Sequence, residues 1–161
     1  MPSSAYLLVV IVPAFFAALW LGACWFTSLG GWHRLSDYYR SNEANNYAPG
    51  TSFAMQSGRL RNVGSSGLSS NYRASLNIRC QSAGLQLSVV FLFAFRHPPL
   101  LVPWSAIKPM GQESVMFGLG HTYNFLVALP DGAECVELKL TSQQLAETIT
   151  SYQQSATLGK Q

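Results

Sequence analysis

The sequence predicts one membrane-spanning helix near the N-terminal end, then a mainly-β (α+β) roll of about seven antiparallel strands with an amphipathic C-terminal helix. Three observations carry that expectation. Ala5 to Phe26, AYLLVVIVPAFFAALWLGACWF, is a 22-residue run without a charge. Between residues 53 and 140, apolar and polar side chains alternate in short segments broken by glycine and proline, the period of a strand. After Thr141 the period becomes helical, with Leu145, Ile149 and Tyr152 on one stripe.

The chain has 161 residues, enough for one domain and little more. Charged residues make up 11%, against roughly 25% in an ordinary soluble domain, and part of that deficit lies in the first run. About 20 apolar residues cross a bilayer as a helix, so its length fits one span. Pro13 falls near the middle, where a membrane helix tolerates proline. Trp20, Trp25 and Trp32 gather toward its C-terminal end, as an interfacial aromatic belt would. A cleaved signal peptide would begin with a basic region and carry a shorter apolar core. No Lys or Arg occurs in residues 1–32. LGAC, Leu21 to Cys24, resembles the lipobox of bacterial lipoproteins, so a periplasmic lipoprotein anchored at a lipid-modified Cys24 stands as an alternative.

Arg34 and Arg40 follow the run closely, with Asp37 between them, and no basic residue precedes it. Excess Lys and Arg mark the cytoplasmic side, which places the N-terminus outside and the remaining chain in the cytosol. Cys24, Cys80 and Cys135 show no C-x-x-C spacing and are expected as thiols in a reducing compartment.

The organisation expected is an anchor over 1–32, a juxtamembrane helix and linker over 33–52, a sheet domain over 53–156 and a tail over 157–161. GGWHRLSDYYRS (30–41) suits a short interfacial helix before a polar loop. SLNIRC (75–80) and LQLSV (85–89) alternate around Gly84 as a hairpin. A second hairpin pairs YNFLVAL (123–129) with ECVELKL (134–140) across Pro130-Asp131-Gly132, a tight-turn sequence. Glu134 and Glu137 are expected on an exposed strand edge. TSQQ (141–144) matches a capping box, with Thr141 as N-cap and Gln144 reaching back.

FRHPPLLVPW (95–104) interrupts the most apolar stretch of the second half. LQLSVVFLFAF has only 11 residues before Arg96, too few for a second span. Pro98 and Pro99 cannot donate to a sheet ladder, so the strand should end and turn there. LLVPW then resumes a strand that SAI closes. As a corner, this stretch buries Leu101 and Trp104 and points Arg96 and His97 to solvent or headgroups. The competing reading makes Arg96 and His97 a site.

HPPLLVPWSAI (97–107), following the G-L-x-L-S strand of Gly84 to Ser88, resembles the bacterial pleckstrin-homology-like domains of small single-pass membrane proteins. The similarity extends loosely over residues 53 to 155. It implies a PH-like roll in the bacterial inner membrane, with a binding or scaffolding role and no established activity.

Nothing in the residues points to catalysis. His33, His97 and His121 are widely spaced, no G-x-S-x-G elbow occurs, and GSSG (64–67) and GLG (118–120) lack the lysine or helix start of a phosphate cradle. No cofactor or metal is expected. Charge is more informative: residues 34–108 hold eight Lys/Arg and two acids, and residues 109–161 hold two and five. An anionic leaflet attracts each nearby Lys or Arg by about 1 kcal/mol, which makes Arg34, Arg40, Arg59, Arg61 and Arg73 candidate contacts with lipid headgroups. Arg59 and Arg61 lie near the loop that binds inositol phosphates in eukaryotic PH relatives, but their spacing does not match that pocket. The partners expected are the lipid bilayer and a membrane or cytosolic protein. Ala18 and Gly22 form a small-x-x-x-small pair through which the span itself could join a larger complex as an assembly subunit. Nucleic acid is not expected, because no basic run is interleaved with aromatics.

Overall fold

Between Val102 and Ile107 the chain has to pass from one edge of its sheet to the other, and this shapes the whole domain. A computed structural model describes residues 3–41, 49–64, 67–115, 120–132 and 135–158. Most of the expected 42–52 loop, positions 65–66 and 118–119 of the two glycine-bearing turns, Glu134 and residues 159–161 lie outside them.

Helix α1 runs from Ser3 to Ser28, about 39 Å at the helical rise. Leu8–Ser28 has a mean hydropathy of 2.2, long and apolar enough to cross a membrane. Its side chains from Leu8 to Ala23 are all exposed, so this is not the core helix of a soluble domain. A tight turn over Leu29–Gly31 follows. Gly31 has φ 128°, open to glycine and strained for other residues. Gly30 packs against Ser70 with no space for a Cβ. Helix α2 (Trp32–Tyr39) then buries Trp32 and Leu35 completely. Trp32 is therefore a core residue and no part of an interfacial belt; Trp20 and Trp25 remain exposed on α1.

Seven antiparallel strands follow: β1 (Gly50–Val63), β2 (Ser69–Gln81), β3 (Gly84–Val89), β4 (Leu100–Val102), β5 (Ile107–Val115), β6 (Gly120–Ala128) and β7 (Cys135–Leu140). They form one sheet in the order β4-β3-β2-β1-β7-β6-β5. Both expected hairpins are present, with Cys80 opposite Leu85 and Ala128 opposite Cys135. Strands β4 and β5 are neighbours in sequence yet lie on opposite edges. The chain from Val102 to Ile107 spans at most roughly 17 Å, whereas a flat sheet of this width would need about 29 Å. The sheet must curl into a half-barrel.

Bulges supply that curl. The β1–β2 register shifts between Phe53 and Gln56 and again before Gly58. Met55 (φ 53°) and Ala74 (φ 48°) sit in the left-handed region there. Their amides are satisfied by side chains: Met55 N donates to Asn77 Oδ1 at 3.1 Å, and Ala74 N to Ser57 Oγ at 2.9 Å. A bulge bends its strand and raises the local twist, so β1 and β2 wrap around the core instead of spreading.

The concave face holds Leu60, Leu76, Ile78, Leu85, Leu87 and Leu138, all buried. Helix α3 (Gln143–Leu158) covers the opening with Leu145, Ala146 and Ile149. Gln153 Nε2 donates to Ile107 O at 2.7 Å, and Tyr152 stacks on Trp104 at 5.8 Å.

Local details depart from the sequence reading. The N-cap of α3 is Ser142, whose Oγ accepts from Leu145 N at 3.3 Å, while the Thr141 hydroxyl donates to Ser57 O. The strand expected over LLVPW is shorter, Leu100–Val102; Trp104–Ala106 is a 3-10 turn carrying the chain across the opening, and Ile107 begins β5. Leu101 is half-buried, and Leu100 and Val102 face the core in its place. Glu137 is not on an edge, because β7 lies between β1 and β6.

Candidate functional site

The last turn of a helix leaves four carbonyls without intrahelical partners. At the end of α1 the sheet supplies a donor for one of them and another for the turn that follows. Thr27 O accepts from Ser70 Oγ at 2.6 Å and lies 3.3 Å from Tyr72 Oη; Leu29 O accepts from Asn62 Nδ2 at 3.2 Å. These side chains point inward because Asn62, Ser70 and Tyr72 share the concave face with Leu60, as strand alternation requires. Two turns further up, Trp20 Nε1 donates to Leu92 O at 2.9 Å and the Trp20 ring lies 4.9 Å from that of Phe93. Trp32 Nε1 donates to Pro98 O at 3.0 Å. The apolar helix is thus clasped to the sheet along its last turns.

FRHPPLLVPW lies at the centre of this clasp. Strand β3 ends at Val89, and Phe91–Phe93 make a 3-10 turn that begins a knuckle. Arg96 is exposed, as expected, with φ 63°. His97 is not: it is 3% exposed, against the expectation that it faces solvent or headgroups. Its Nδ1 lies 3.0 Å from Phe95 O and its Nε2 lies 3.1 Å from Tyr72 Oη. Trp32 and Tyr72 both place rings edge-on to it or nearly so. Burial lowers the pKa of His97, with its hydrogen bonds to the backbone of Phe95 and Phe93 opposing in part. Burial also raises the Tyr72 hydroxyl well above its usual range and pushes the Cys80 thiol up to about 12.

The five arginines proposed as surface contacts do not form one patch. Arg59 and Arg61 lie on the convex face, where Arg59 donates to Ser69 Oγ at 2.7 Å and Arg61 pairs with Glu137 at 2.7 Å. Lys139 bridges Glu113 at 2.8 Å and Glu137 at 3.6 Å. Arg73 lines the same groove as Arg59, Lys139 and Glu113, so acids offset much of that charge. Arg34 lies on α2. Arg40 sits elsewhere, in a cleft of about 510 Å³ shared with His33, Asp37, Ala94, Arg96 and Pro98. His33 and Asp37 are 3.9 Å apart there.

Two further grooves flank α3, one of about 490 Å³ against β5 and β6 and one of about 960 Å³ against Pro103 and Trp104. Among the described residues no group of His, Cys, Asp and Glu is placed to hold a metal.

Sequence reasoning misses the pairing of Arg40 with Arg96 and the exposed knuckle that precedes it. The only local signal is FLFAF, where strict alternation fails before the prolines. No family model matches the chain, and neither does any curated protein or solved structure.

Proposed function

We propose that the chain is a single-pass protein of the bacterial inner membrane, with its N-terminus outside and a cytosolic PH-like domain that acts without catalysis, as a binding or scaffolding module for a protein partner or the inner leaflet surface. The observation that carries this reading is the clasp. The Thr27 and Leu29 carbonyls at the end of α1 are capped by Ser70 and Asn62 from the sheet. A flexible tether would let the domain sample all orientations. A clasped helix instead presents one face of the domain to the bilayer and leaves α3 and its grooves open toward the cytosol. Arg34 and Arg40, just beyond the span, support the orientation.

Two experiments on the full chain test this. A reporter active only in the periplasm, fused after Gln161, should stay silent while the fusion resists alkaline extraction from membranes; strong reporter activity would sink the topology. Photocrosslinkers at Gln154 and Ser105, beside α3, should give discrete protein adducts in native membranes. Adducts from neither position would argue against scaffolding through this face.

A further inference from the structure

Three large apolar side chains crowd one small knuckle in the open. Phe91 is 81% exposed, Leu92 56% and Phe95 47%. The knuckle is internally tied, with Ala94 N donating to Phe91 O at 3.0 Å and His97 N to Ala94 O at 2.9 Å. Its exposure is therefore built in. Contiguous apolar surface of this kind on a soluble face is unusual and marks contact with something apolar.

Its position says what that something is. Trp20, which holds Leu92 and Phe93, lies eight residues before the end of α1, about 12 Å up the helix. The knuckle rises from the sheet alongside α1, at a level where Phe16, Leu19 and Leu21 are exposed on the helix. Phe16 precedes Trp20 by four residues and so shares its face. The apolar surface of the knuckle runs on into that of the helix. Whatever solvates the helix there solvates Phe91 and Leu92.

At the base of the knuckle the chemistry changes sign. Arg96 follows the tip at once, and Arg40 shares its cleft. Neither forms an ion pair among the described residues, and the one acid lining the same cleft, Asp37, leaves the pair a net positive charge. An apolar tip above two cations matches the layering of a phospholipid leaflet, with acyl chains above and phosphates below.

We propose that residues 91–95 are a wedge inserted into the leaflet beside α1, and that Arg40 and Arg96 beneath it hold the phosphate of a phospholipid headgroup. This rests on the reading of α1 as a membrane span. The wedge gives the domain a second point of attachment, so that it cannot swing about the helix axis.

The test uses the full chain with Cys135→Ser, whose remaining thiols, Cys24 and Cys80, are buried. Spin labels are placed by Phe16→Cys, Phe91→Cys, Leu92→Cys and Gln112→Cys. The protein is reconstituted in phosphatidylcholine vesicles with and without phosphatidylglycerol. Accessibility to oxygen and to a water-soluble nickel chelate reads the depth of each label. Labels at 16, 91 and 92 should be open to oxygen and closed to nickel, with the reverse at 112. Nickel access at 91 and 92 with position 16 in lipid overturns the wedge and leaves the span standing. Nickel access at 16 as well overturns the span itself. Labels at 91 and 92 closed to both reagents, and opening as the protein is diluted in lipid, would mean that a second copy covers the knuckle, and the wedge would be abandoned.

The cationic base has its own readout. Arg40→Gln with Arg96→Asn removes both charges, and asparagine accepts the left-handed backbone at 96. Purified in mild detergent, this variant should retain about thirtyfold less phosphatidylglycerol than the parent, the factor that corresponds to about 1 kcal/mol for each of two arginines at an anionic surface. Equal retention, with the fold intact by circular dichroism, would overturn the headgroup site.

Discussion

The Tyr72 hydroxyl and His97 Nε2 lie 3.1 Å apart inside the core, between the end of the apolar helix and the base of the knuckle. A carbonyl only accepts, so His97 Nδ1 must donate to Phe95 O, 3.0 Å away. The neutral ring then has a bare Nε2, which accepts the Tyr72 hydroxyl proton. Through this pair the knuckle is fastened to β2, and β2 is fastened to Thr27 at the helix end. The clasp and the knuckle are one polar network, sealed by Trp32.

That network should make the fold sensitive to mild acid. Burial is the main cause that lowers the His97 pKa from its usual value near 6.5. The folded state therefore resists a proton that the unfolded state accepts, and the unfolded chain binds more protons below about pH 6.5. Stability should be full above that pH and fall as acid is added, by at most about 1.4 kcal/mol per pH unit from this group. Tyr72 stays protonated throughout, because burial raises its pKa. Thermal unfolding of the chain in lipid nanodiscs, measured from about pH 7.5 down to about pH 5.5, should show the drop. His97→Gln should flatten it. An unchanged slope in His97→Gln would place the sensitivity elsewhere.

Trp104 and Arg96 should respond in opposite ways to truncation. Trp104 is buried, donates to Gln81 O at 2.9 Å and stacks on Tyr152 of α3. Trp104→Ala should cost about 3–5 kcal/mol, the range for a buried aromatic, and loosen α3. Arg96→Ala should change stability by about 0.5 kcal/mol or less, as exposed positions do. His97→Ala belongs with the costly changes, about 1–3 kcal/mol, because it leaves the buried Tyr72 hydroxyl only its longer contact, 3.3 Å to Thr27 O. Chemical denaturation of the three variants in one detergent orders them; a cost for Arg96→Ala above that for His97→Ala would refute this account of the corner.

Legibility in the sequence followed the range of the interactions. The apolar helix, the β2–β3 and β6–β7 hairpins and the α3 stripe rest on periodicity within about a dozen residues, and each was readable. Trp32 was not, because a tryptophan near a span fits a belt and a core equally well until Tyr72 and Pro98 are known to meet it. HPP suggested an exposed polar tip for the same reason: the partner of His97 lies 25 residues away, and that of Leu92 lies 72 residues away. The cleft holding Arg40 and Arg96 depends on α2 returning beside the knuckle. The α3 cap shifted by one residue because Ser142 and Thr141 offer the same hydroxyl, and only the position of Ser57 decides between them.

Cys24 should carry no lipid. It is buried within α1, which continues unbroken to Ser28. Cleavage before Cys24 would remove Trp20 and with it the hydrogen bond to Leu92. Intact-mass measurement of the purified chain should give the full-length protein without a diacylglyceryl addition, allowing for loss of the first methionine. A mass matching a lipidated chain that starts at Cys24 would reverse both the topology and the wedge.

Gly30 offers the sharpest test of the clasp. A Cβ at this position would meet the backbone nitrogen and side chain of Ser70 at contact distances no folded chain sustains. Ser70 is also the donor that caps Thr27 O at 2.6 Å. Relief has to come from movement of the helix end away from β2, which lengthens that bond and the one from Asn62 to Leu29 O. Overpacking of this kind costs about 1–3 kcal/mol, and here the cost falls on one joint. Gly30→Ala should therefore lower the unfolding temperature modestly while broadening the distance distribution between a spin label at Leu19 on α1 and one at Gln112 on β5. Gly22→Ala, where an added Cβ meets nothing within 4 Å, is the control and should leave both unchanged. If Gly30→Ala loses stability but keeps a narrow distance distribution, the helix is held by the knuckle alone and the clasp at Thr27 is dispensable.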